Sequence, residues 1–407
     1  MKFSKLSQLF LVSGIGLLVA VLLSACDIIT VDFVYVASSA GAGSSGYGQI
    51  DIFAADSASG ALRSIDTTVS SGGVDPVSMT VDSAYANLYV ANKGSNSIEH
   101  FAIGLDGGLT AKDGASVIGA PVAIAVNTAG KYLYAISGTS SAMLTAYPLN
   151  SGALGSAAGS ATLTVPSYAG DTIIATGITV LEDNSAVFVT AYDQSAFNPG
   201  GSTTSTANPG WVFAFSVGSG GALTPAPGSP WKAGIKPSAI ASDPTNRFVY
   251  VTDYISNQLI GYTILDEGTA NVSLNFLPNG PFNTGVEPSA IAINPGGRFI
   301  YITNQLSNTV SAYAIDLATG TPTTVVNVTG SPSNSTEAEP VALIVDPALG
   351  RFVYTANYLG PSVTGFALDP TAGSLKATQS SPYPTDPKPT AITAIPHGNH
   401  ATQVVDN

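Results

Sequence analysis

Apolar residues in this chain come in short runs separated by polar turns, and the order of runs and turns recurs as one motif. Its clearest copy is Glu287–Asp316, with the sequence EPSAIAINPGGRFIYITNQLSNTVSAYAID. The first apolar run, Pro288–Ile293, ends at the turn residues Asn294–Gly297, which preset or tolerate the backbone angles of a tight turn. A second run, Arg298–Thr303, and a third, Thr309–Ile315, follow. Runs of this length and composition predict antiparallel strands, with a weaker fourth strand after each third one.

An aromatic residue in the second run marks each copy of the motif, and successive copies lie 45 to 62 residues apart. The marked positions are Tyr35, Tyr89, Tyr134, Phe188, Tyr250, Tyr301 and Tyr354. A period of this size indicates repeated supersecondary units. Four-stranded sheets arranged in a ring bury strands that are apolar on both faces. We therefore predict an all-β fold, a seven-bladed β-propeller of four-stranded antiparallel blades over residues 31–396.

The two ends of the repeat region complement each other. The first copy lacks an opening strand, because the chain enters at Val31 directly with the second strand, VDFVYVA. An unpaired opening strand, KPTAITAIP, remains at Lys388–Pro396. We expect this C-terminal strand to pair with the N-terminal blade, which closes the ring and removes two exposed sheet edges. Residues 397–407 then form a C-terminal tail.

The second strands carry a short motif, VYVTD at Val249–Asp253, IYITN at Ile300–Asn304 and LYVAN at Leu88–Asn92. It resembles the YVTN repeat of the lactonase-like seven-bladed propellers. That group includes 6-phosphogluconolactonase-type enzymes and exported YVTN proteins without known activity. The resemblance implies the propeller fold, whereas function must be argued from a site. Enzymes of the group resemble one another in an Arg-His pair after an opening-strand proline, and here Pro237 and Pro288 are each followed by Ser-Ala.

The N-terminus is a separate segment. Lys2 and Lys5 precede an apolar run of 15 residues, Leu9–Leu23, which is short for a membrane span and typical of a signal peptide. The sequence Leu-Ser-Ala-Cys that ends at Cys26 resembles a bacterial lipobox. We therefore predict a lipoprotein signal peptide at 1–25 and a lipidated tether at 26–30. The alternative is an ordinary export signal that happens to contain a cysteine.

A lipid on Cys26 would make the bilayer a partner and place the protein in the bacterial cell envelope, facing the periplasm or the cell surface. Asp27 resembles an inner-membrane retention signal and slightly favours that membrane. Cys26 is the only cysteine, so its modification would leave no thiol for a disulfide, a metal or catalysis.

The charge pattern excludes some partners. The formal net charge is −13, and only 10% of the residues are charged, so no basic stripe favours nucleic acid. The pair His397 and His400 has no third ligand nearby in the sequence, so we predict no metal site. No motif indicates a cofactor.

Two sets of polar residues should converge on one face of the disc, where loops enter the strands that line the central channel. The first set precedes opening-strand prolines and comprises Asp75, Lys236, Glu287, Glu339 and Lys388. The second set closes or follows second strands and includes Asp253, Tyr254, Asn304, Gln305, Asn357 and Tyr358. Converging polar groups favour ligand binding. Alternatively, the charges pair with one another and the Asn and Asp side chains cap turns.

Aromatic residues in the loops that lead to this face are further candidates. Trp231 and Tyr383 each follow a Ser-Pro pair and could stack on a sugar, although such side chains also fill gaps between blades.

Two functions follow from these residues. The first is a noncatalytic scaffold that binds a carbohydrate or an envelope protein. The second is a lactonase in which Glu287 or Glu339 acts as the base toward water, while Lys236 and Lys388 hold an anionic substrate.

Overall fold

The computed structural model describes residues 29–39, 46–65, 68–117, 119–138, 141–165, 172–194 and 209–398. They form seven antiparallel sheets and one short 3₁₀ turn, Ser219–Gly221. Each sheet has an inner, a second and a third strand, followed by an outer strand in two short pieces that pair with the third strand. The predicted all-β, seven-bladed propeller is therefore confirmed.

The blades are numbered here from the N-terminus, and their strands are as follows. The inner strands of blades 1 to 7 are Pro389–Pro396, Pro76–Val81, Pro121–Val126, Ile173–Val180, Pro237–Ser242, Pro288–Ile293 and Pro340–Val345. The second strands are Thr30–Ser38, Asn87–Asn92, Tyr132–Ser137, Ala186–Asp193, Phe248–Asp253, Phe299–Asn304 and Phe352–Asn357. The third strands are Gln49–Asp56, Ser97–Ile103, Met143–Asn150, Gly210–Val217, Gln258–Leu265, Thr309–Ile315 and Ser362–Leu368. The outer pieces are Leu62–Ser64 and Val69–Ser70, Leu109–Ala111 and Ala115–Ser116, Ala153–Leu154 and Gly159–Thr162, Leu223–Pro225 and Trp231–Lys232, Ser273–Phe276 and Phe282–Asn283, Pro322–Val325 and Ser333–Ser335, and Leu375–Ala377 and Tyr383–Pro384.

The C-terminal strand closes the ring as predicted. Pro389–Pro396 pairs antiparallel with Thr30–Ser38, with Tyr35 opposite Thr393. Thr390, in the same C-terminal strand, contacts the neighbouring blade: its hydroxyl donates to the carbonyl of Pro76 in blade 2 at 2.7 Å. Blade 1 thus contains strands from both ends of the repeat region.

The repeated tyrosine of the second strands joins neighbouring blades. The Tyr301 hydroxyl donates to the carbonyl of Gly373 in blade 7 at 2.9 Å, and Tyr250 and Tyr354 make the equivalent bonds. Every residue of Phe299–Asn304 is buried, because the second strand lies between adjacent sheets. Burial raises the pKa of these tyrosines above the ordinary value, so they remain protonated donors.

The two faces of the disc carry different turns. On one face, here called the turn face, inner strands connect to second strands, and Arg247, Arg298 and Arg351 lie there. On the other, the mouth face, loops enter the inner strands. Strand Thr30–Ser38 runs from the turn face to the mouth face, where the Ser39 N–H donates to the Lys388 carbonyl. The described chain therefore starts at Ile29 on the turn face.

In the described part of the chain, no helix has the length and apolarity that a membrane span requires. Cys26, Asp27, the signal peptide at 1–25 and most of the tether lie outside the described residues, as does His400 in the tail. Those expectations stay predictions.

Candidate binding site at the channel mouth

The residues before the inner-strand prolines form a rim around the channel. Asp75, Glu287, Glu339 and Lys388 have φ of 57, 57, 56 and 60°, a left-handed conformation that non-glycine residues seldom adopt. A following proline disfavours the right-handed helical region, and Asn257 and Asn308 accept the backbone N–H groups of the two glutamates, both at 2.8 Å. Sparsely populated conformations of this kind concentrate at functional sites.

Lys236, Tyr254 and Glu287 form one cluster on this rim. The Tyr254 hydroxyl donates to Oε2 of Glu287 at 2.7 Å. The Lys236 ammonium lies 4.7 Å from the centre of the Tyr254 ring and 5.7 Å from that of Tyr192, distances at which a cation is attracted to an aromatic face. Burial, reinforced by the bond to Glu287, raises the pKa of Tyr254. The phenol therefore stays protonated and occupies one oxygen of Glu287.

A cavity of about 300 Å³ lies beside Glu339 at the mouth of the channel, and blades 6, 7, 1 and 2 contribute to its wall. Its lining residues are Val77, Gln305, Glu339, Val341, Tyr358 and Thr390. The Gln305 amide donates to Oε2 of Glu339 at 3.3 Å. The cavity therefore combines a carboxylate, an amide and a phenol with two aliphatic walls, the pattern of a small-molecule site.

The other rim residues lie outside this lining. Asp75 is partly buried in blade 2 and Lys388 is exposed in blade 1, and their carbonyls accept the N–H groups of Lys93 and Ser39. Lys236 belongs to the tyrosine cluster. The structure thus brings Glu339 to the cavity and places Lys236 and Glu287 together next to it along the rim.

The polar residues at the ends of the second strands are turn caps. Asp253, fully buried, accepts the N–H groups of Ile235 and Lys236 at 2.8 and 2.9 Å. Asn304 and Asn357 are also buried, and their amides donate to hydroxyls of the adjoining third strands. Their side chains are committed to the fold, as the alternative interpretation of the sequence expected.

The two loop aromatics are remote from the cavity. Tyr383 is buried, and its hydroxyl donates to the Gln379 carbonyl at 2.6 Å. Trp231 is half-buried in the outer strand of blade 4 and packs against the core between blades 4 and 5. Both occupy gap-filling positions.

Val77, Val341 and Thr390 were missed by the sequence reasoning. Each is the first residue after an inner-strand proline, at the point where the inner strand departs from regular pairing. The proline was a visible signal, but only the closed ring shows which of these positions face a cavity.

The described residues contain no cluster of three His, Cys, Asp or Glu side chains that could hold a metal ion. The described histidines lie away from the mouth. His100 in the third strand of blade 2 contacts Asn87 at 2.7 Å, and His397 packs edge-on against Phe33.

Comparison with known proteins identifies the family. The family model described as "Lactonase, 7-bladed beta-propeller" matches residues 28–126, 48–169 and 179–334, most of the chain. The chain belongs to the lactonase family of seven-bladed β-propellers.

Relatives of this lactonase-family chain are distant. A 6-phosphogluconolactonase of Pectobacterium carotovorum subsp. carotovorum (strain PC1) is 25% identical over 146 residues, which is 36% of this chain and 43% of that protein. The 6-phosphogluconolactonase of Pectobacterium atrosepticum is 24% identical over the same length. The matched part is thus less than half the length of these curated relatives.

Solved structures match nearly the whole fold. The periplasmic gluconolactonase of Pseudomonas aeruginosa, PpgL, is similar with a TM-score of 0.71 and 17% identity, over 91% of this chain and 100% of that one. A protein from Lactobacillus plantarum is similar with a TM-score of 0.67 and 18% identity, over 90% of this chain and 99% of that one. Identities this low support the fold alone.

Proposed function

We propose that this lactonase-family protein binds a small hydroxylated ligand, of the sugar-lactone or sugar-acid class, at the channel mouth. The observation that carries the proposal is the cavity beside Glu339. Its carboxylate accepts hydrogen bonds from ligand hydroxyls, and the Gln305 amide both donates and accepts. Its volume of about 300 Å³ is at the lower end of the range for small-molecule pockets.

The protein would act as a noncatalytic binding scaffold held in the bacterial cell envelope by a lipid on Cys26, as its N-terminal sequence predicts. Tyrosine contacts at Lys236 and Glu287 support the noncatalytic role, because they engage two of the charged groups that a hydrolase would require. The described arginines add no cation here, since Arg63 lies in an outer strand and Arg247, Arg298 and Arg351 lie on the turn face.

Lactone hydrolysis is the second candidate, favoured by membership of the lactonase family. Glu339 would take a proton from a water molecule, whose oxygen attacks the lactone carbonyl. The Gln305 amide or the Tyr358 hydroxyl would donate to the oxyanion, and the ring oxygen would leave and gain a proton. Glu339 suits this role better than Glu287, because Glu339 lines the cavity and Glu287 does not.

Calorimetric titration of the purified protein with D-gluconate and D-glucono-1,5-lactone tests the proposal. Glu339→Gln should weaken binding by about 10-fold or more, because a hydrogen bond to a charged group contributes about 1.5–3 kcal/mol. The control Glu337→Gln changes an exposed carboxylate two residues away and should bind like wild type. Absence of binding to both ligands would refute the proposal.

Acid release in a pH-stat separates the two candidates. Hydrolysis of the lactone above its spontaneous rate, lost in Glu339→Gln but kept in Glu337→Gln, would establish the enzyme. Binding without added hydrolysis would establish the scaffold.

A further inference from the structure

Five aliphatic side chains are exposed on the mouth face. Leu306 and Leu359 are 61% and 57% exposed, and Val74, Ile255 and Val286 are 39 to 42% exposed. We refer to these five residues as the aliphatic rim.

Two members of the aliphatic rim adjoin the cavity lining, whereas Val74, Ile255 and Val286 adjoin the rim residues Asp75, Tyr254 and Glu287. Leu306 follows Gln305 and Leu359 follows Tyr358, so the two most exposed members sit directly beside two cavity-lining residues. Single exposed apolar residues are common on protein surfaces, but Leu306 and Leu359 add apolar surface directly beside the lining of one cavity. Turns of this kind usually carry small polar residues, whereas Leu306 and Leu359 are aliphatic and more than half exposed.

The cavity has the same division into polar and apolar parts. Glu339 and Gln305 provide its polar side, whereas Val77 and Val341 form aliphatic walls. A fully hydroxylated sugar would satisfy the polar side but leave both valines and the neighbouring leucines without an apolar partner.

The aliphatic rim also faces away from the predicted anchor. The described chain begins at Ile29 on the turn face, and the three residues from Cys26 to Ile29 can span only about 11 Å. A lipid on Cys26 would therefore bring the membrane to the turn face. The aliphatic rim on the mouth face would meet ligands from the aqueous side.

We propose that the ligand is amphiphilic, with a lactone or hydroxy-acid head in the Glu339 cavity and an alkyl substituent lying over Leu306 and Leu359. This inference rests on the proposed function and specifies its ligand class. Fully burying a methylene contributes about 0.8 kcal/mol, or fourfold in affinity. A methylene that is only half-buried on the exposed rim should therefore increase the affinity about twofold.

A homologous series of γ-lactones tests the inference. The purified protein is titrated with γ-butyrolactone, γ-hexalactone and γ-octalactone, and each Kd is referred to the free aqueous lactone concentration measured by equilibrium dialysis. From γ-butyrolactone to γ-octalactone, four added carbons should tighten binding about 15-fold. The double variant Leu306→Ser, Leu359→Ser should lose this gain and keep the wild-type Kd for γ-butyrolactone.

Leu105→Ser is the matched control, because Leu105 is 98% exposed in a turn of blade 2 between its third and outer strands, on the turn face. It should retain the full dependence on chain length. Any detergent present takes up the same fraction of lactone in the samples of wild type, double variant and Leu105→Ser. The ratio of variant Kd to wild-type Kd therefore reports the contribution of the substituted leucines alone.

The outcomes distinguish this inference from the proposed function. If D-gluconate or D-glucono-1,5-lactone binds but Kd is unchanged along the γ-lactone series, the amphiphilic ligand is refuted and the proposed function stands. The same refutation applies if the double variant keeps the dependence on chain length. If neither the sugar derivatives nor the γ-lactones bind, both proposals fail.

Discussion

A buried carboxyl group at the closure of the ring makes a sharp prediction about pH. Asp32, in the second strand of blade 1, is fully buried. It faces Asp346 of blade 7, whose carboxylate accepts four backbone N–H bonds from its own turn. Burial, and secondarily the charge of Asp346, hold the pKa of Asp32 well above its usual range.

The sign of the effect follows from proton binding. In the unfolded chain Asp32 loses its proton near pH 4, whereas in the folded protein it keeps the proton to a higher pH. Between these two pKa values the folded state binds one proton more than the unfolded state. The free energy of unfolding therefore falls by about 1.4 kcal/mol per pH unit as the pH rises.

Asp32→Asn removes the titration and keeps the shape of the protonated side chain. An unfolding entropy of about 0.8 kcal/mol/K for a protein of this size converts the slope to about 2 °C in Tm per pH unit. The variant and wild type should melt together near pH 4. Above that pH the variant should gain about 2 °C per unit until the pKa of folded Asp32 is passed.

The assay is thermal unfolding by calorimetry at half-unit steps from pH 4 to 8. Asp243→Asn is the control for a turn cap, because Asp243 caps in blade 5 the turn that Asp346 caps in blade 7, and the residue just before the blade 5 second strand is Arg247 instead of an aspartate. Equal pH slopes for Asp32→Asn and wild type would refute the reasoning. A wild-type Tm that rises relative to that of Asp32→Asn as the pH increases would show that the fold stabilises the carboxylate.

Asp51 makes a separate contribution to the dependence of stability on pH. This contribution is the same in the wild type and in Asp32→Asn. Burial raises the pKa of Asp51 to about 6, although a bond from the Asp386 N–H, at 2.9 Å, opposes the shift. Its part of the stability is lost between about pH 4 and 6 in wild type and variant alike. The difference in Tm between the two proteins therefore reports Asp32.

Three further predictions concern the fold and the anchor. Tyr301→Phe should lower the free energy of unfolding in urea by about 1–2 kcal/mol by leaving a buried carbonyl unsatisfied. Tyr134→Phe should cost nothing measurable, because the Tyr134 hydroxyl has no partner in the described chain. Equal losses would contradict this. Deletion of Lys388–Asn407 should abolish cooperative melting, because it removes the inner strand of blade 1, and a wild-type Tm would disprove the role of closure. Cys26→Ser should release the protein into the soluble exported fraction, and unchanged membrane association would exclude a lipid anchor there.

The architecture was predictable because the same local signals repeat along the sequence. The proline that opens six of the seven inner strands and the turn at Asn294–Gly297 set strand ends without reference to the rest of the molecule. Closure by Lys388–Pro396 followed from counting strands, because an incomplete first blade and a spare last strand complement each other.

The geometry of the candidate site was predictable only in part. Its face and Glu339 followed from propeller geometry, since loops entering the inner strands must surround the channel. The partners of each side chain did not follow, because they come from other blades. Tyr254 of blade 5 binds Glu287 of blade 6, and Thr390 and Val77 meet Glu339 only through the closed ring. Sequence spacing along one blade contains no information on such pairs.

A repeat protein separates structural from functional residues by comparison among its own blades. Ser238 and Ser289, the first residues after their prolines, donate to the carbonyl of the next inner proline at 2.6 and 2.7 Å. Val77, Val122 and Val341 occupy the same position and have no hydroxyl to donate. Of these three valines, Val77 and Val341 form the aliphatic walls of the cavity.

The same comparison distinguishes the rim from the turn caps. Asp253, Asn304 and Asn357 end the second strands of blades 5, 6 and 7, and their buried side chains hold the adjoining turns and strands. The position before the inner-strand proline holds Lys236 in blade 5 and Glu339 in blade 7, so blade construction does not require one residue type there. We therefore expect substitutions at Glu339 to change binding with little change in Tm, and substitutions at Asp253 to have the opposite effect.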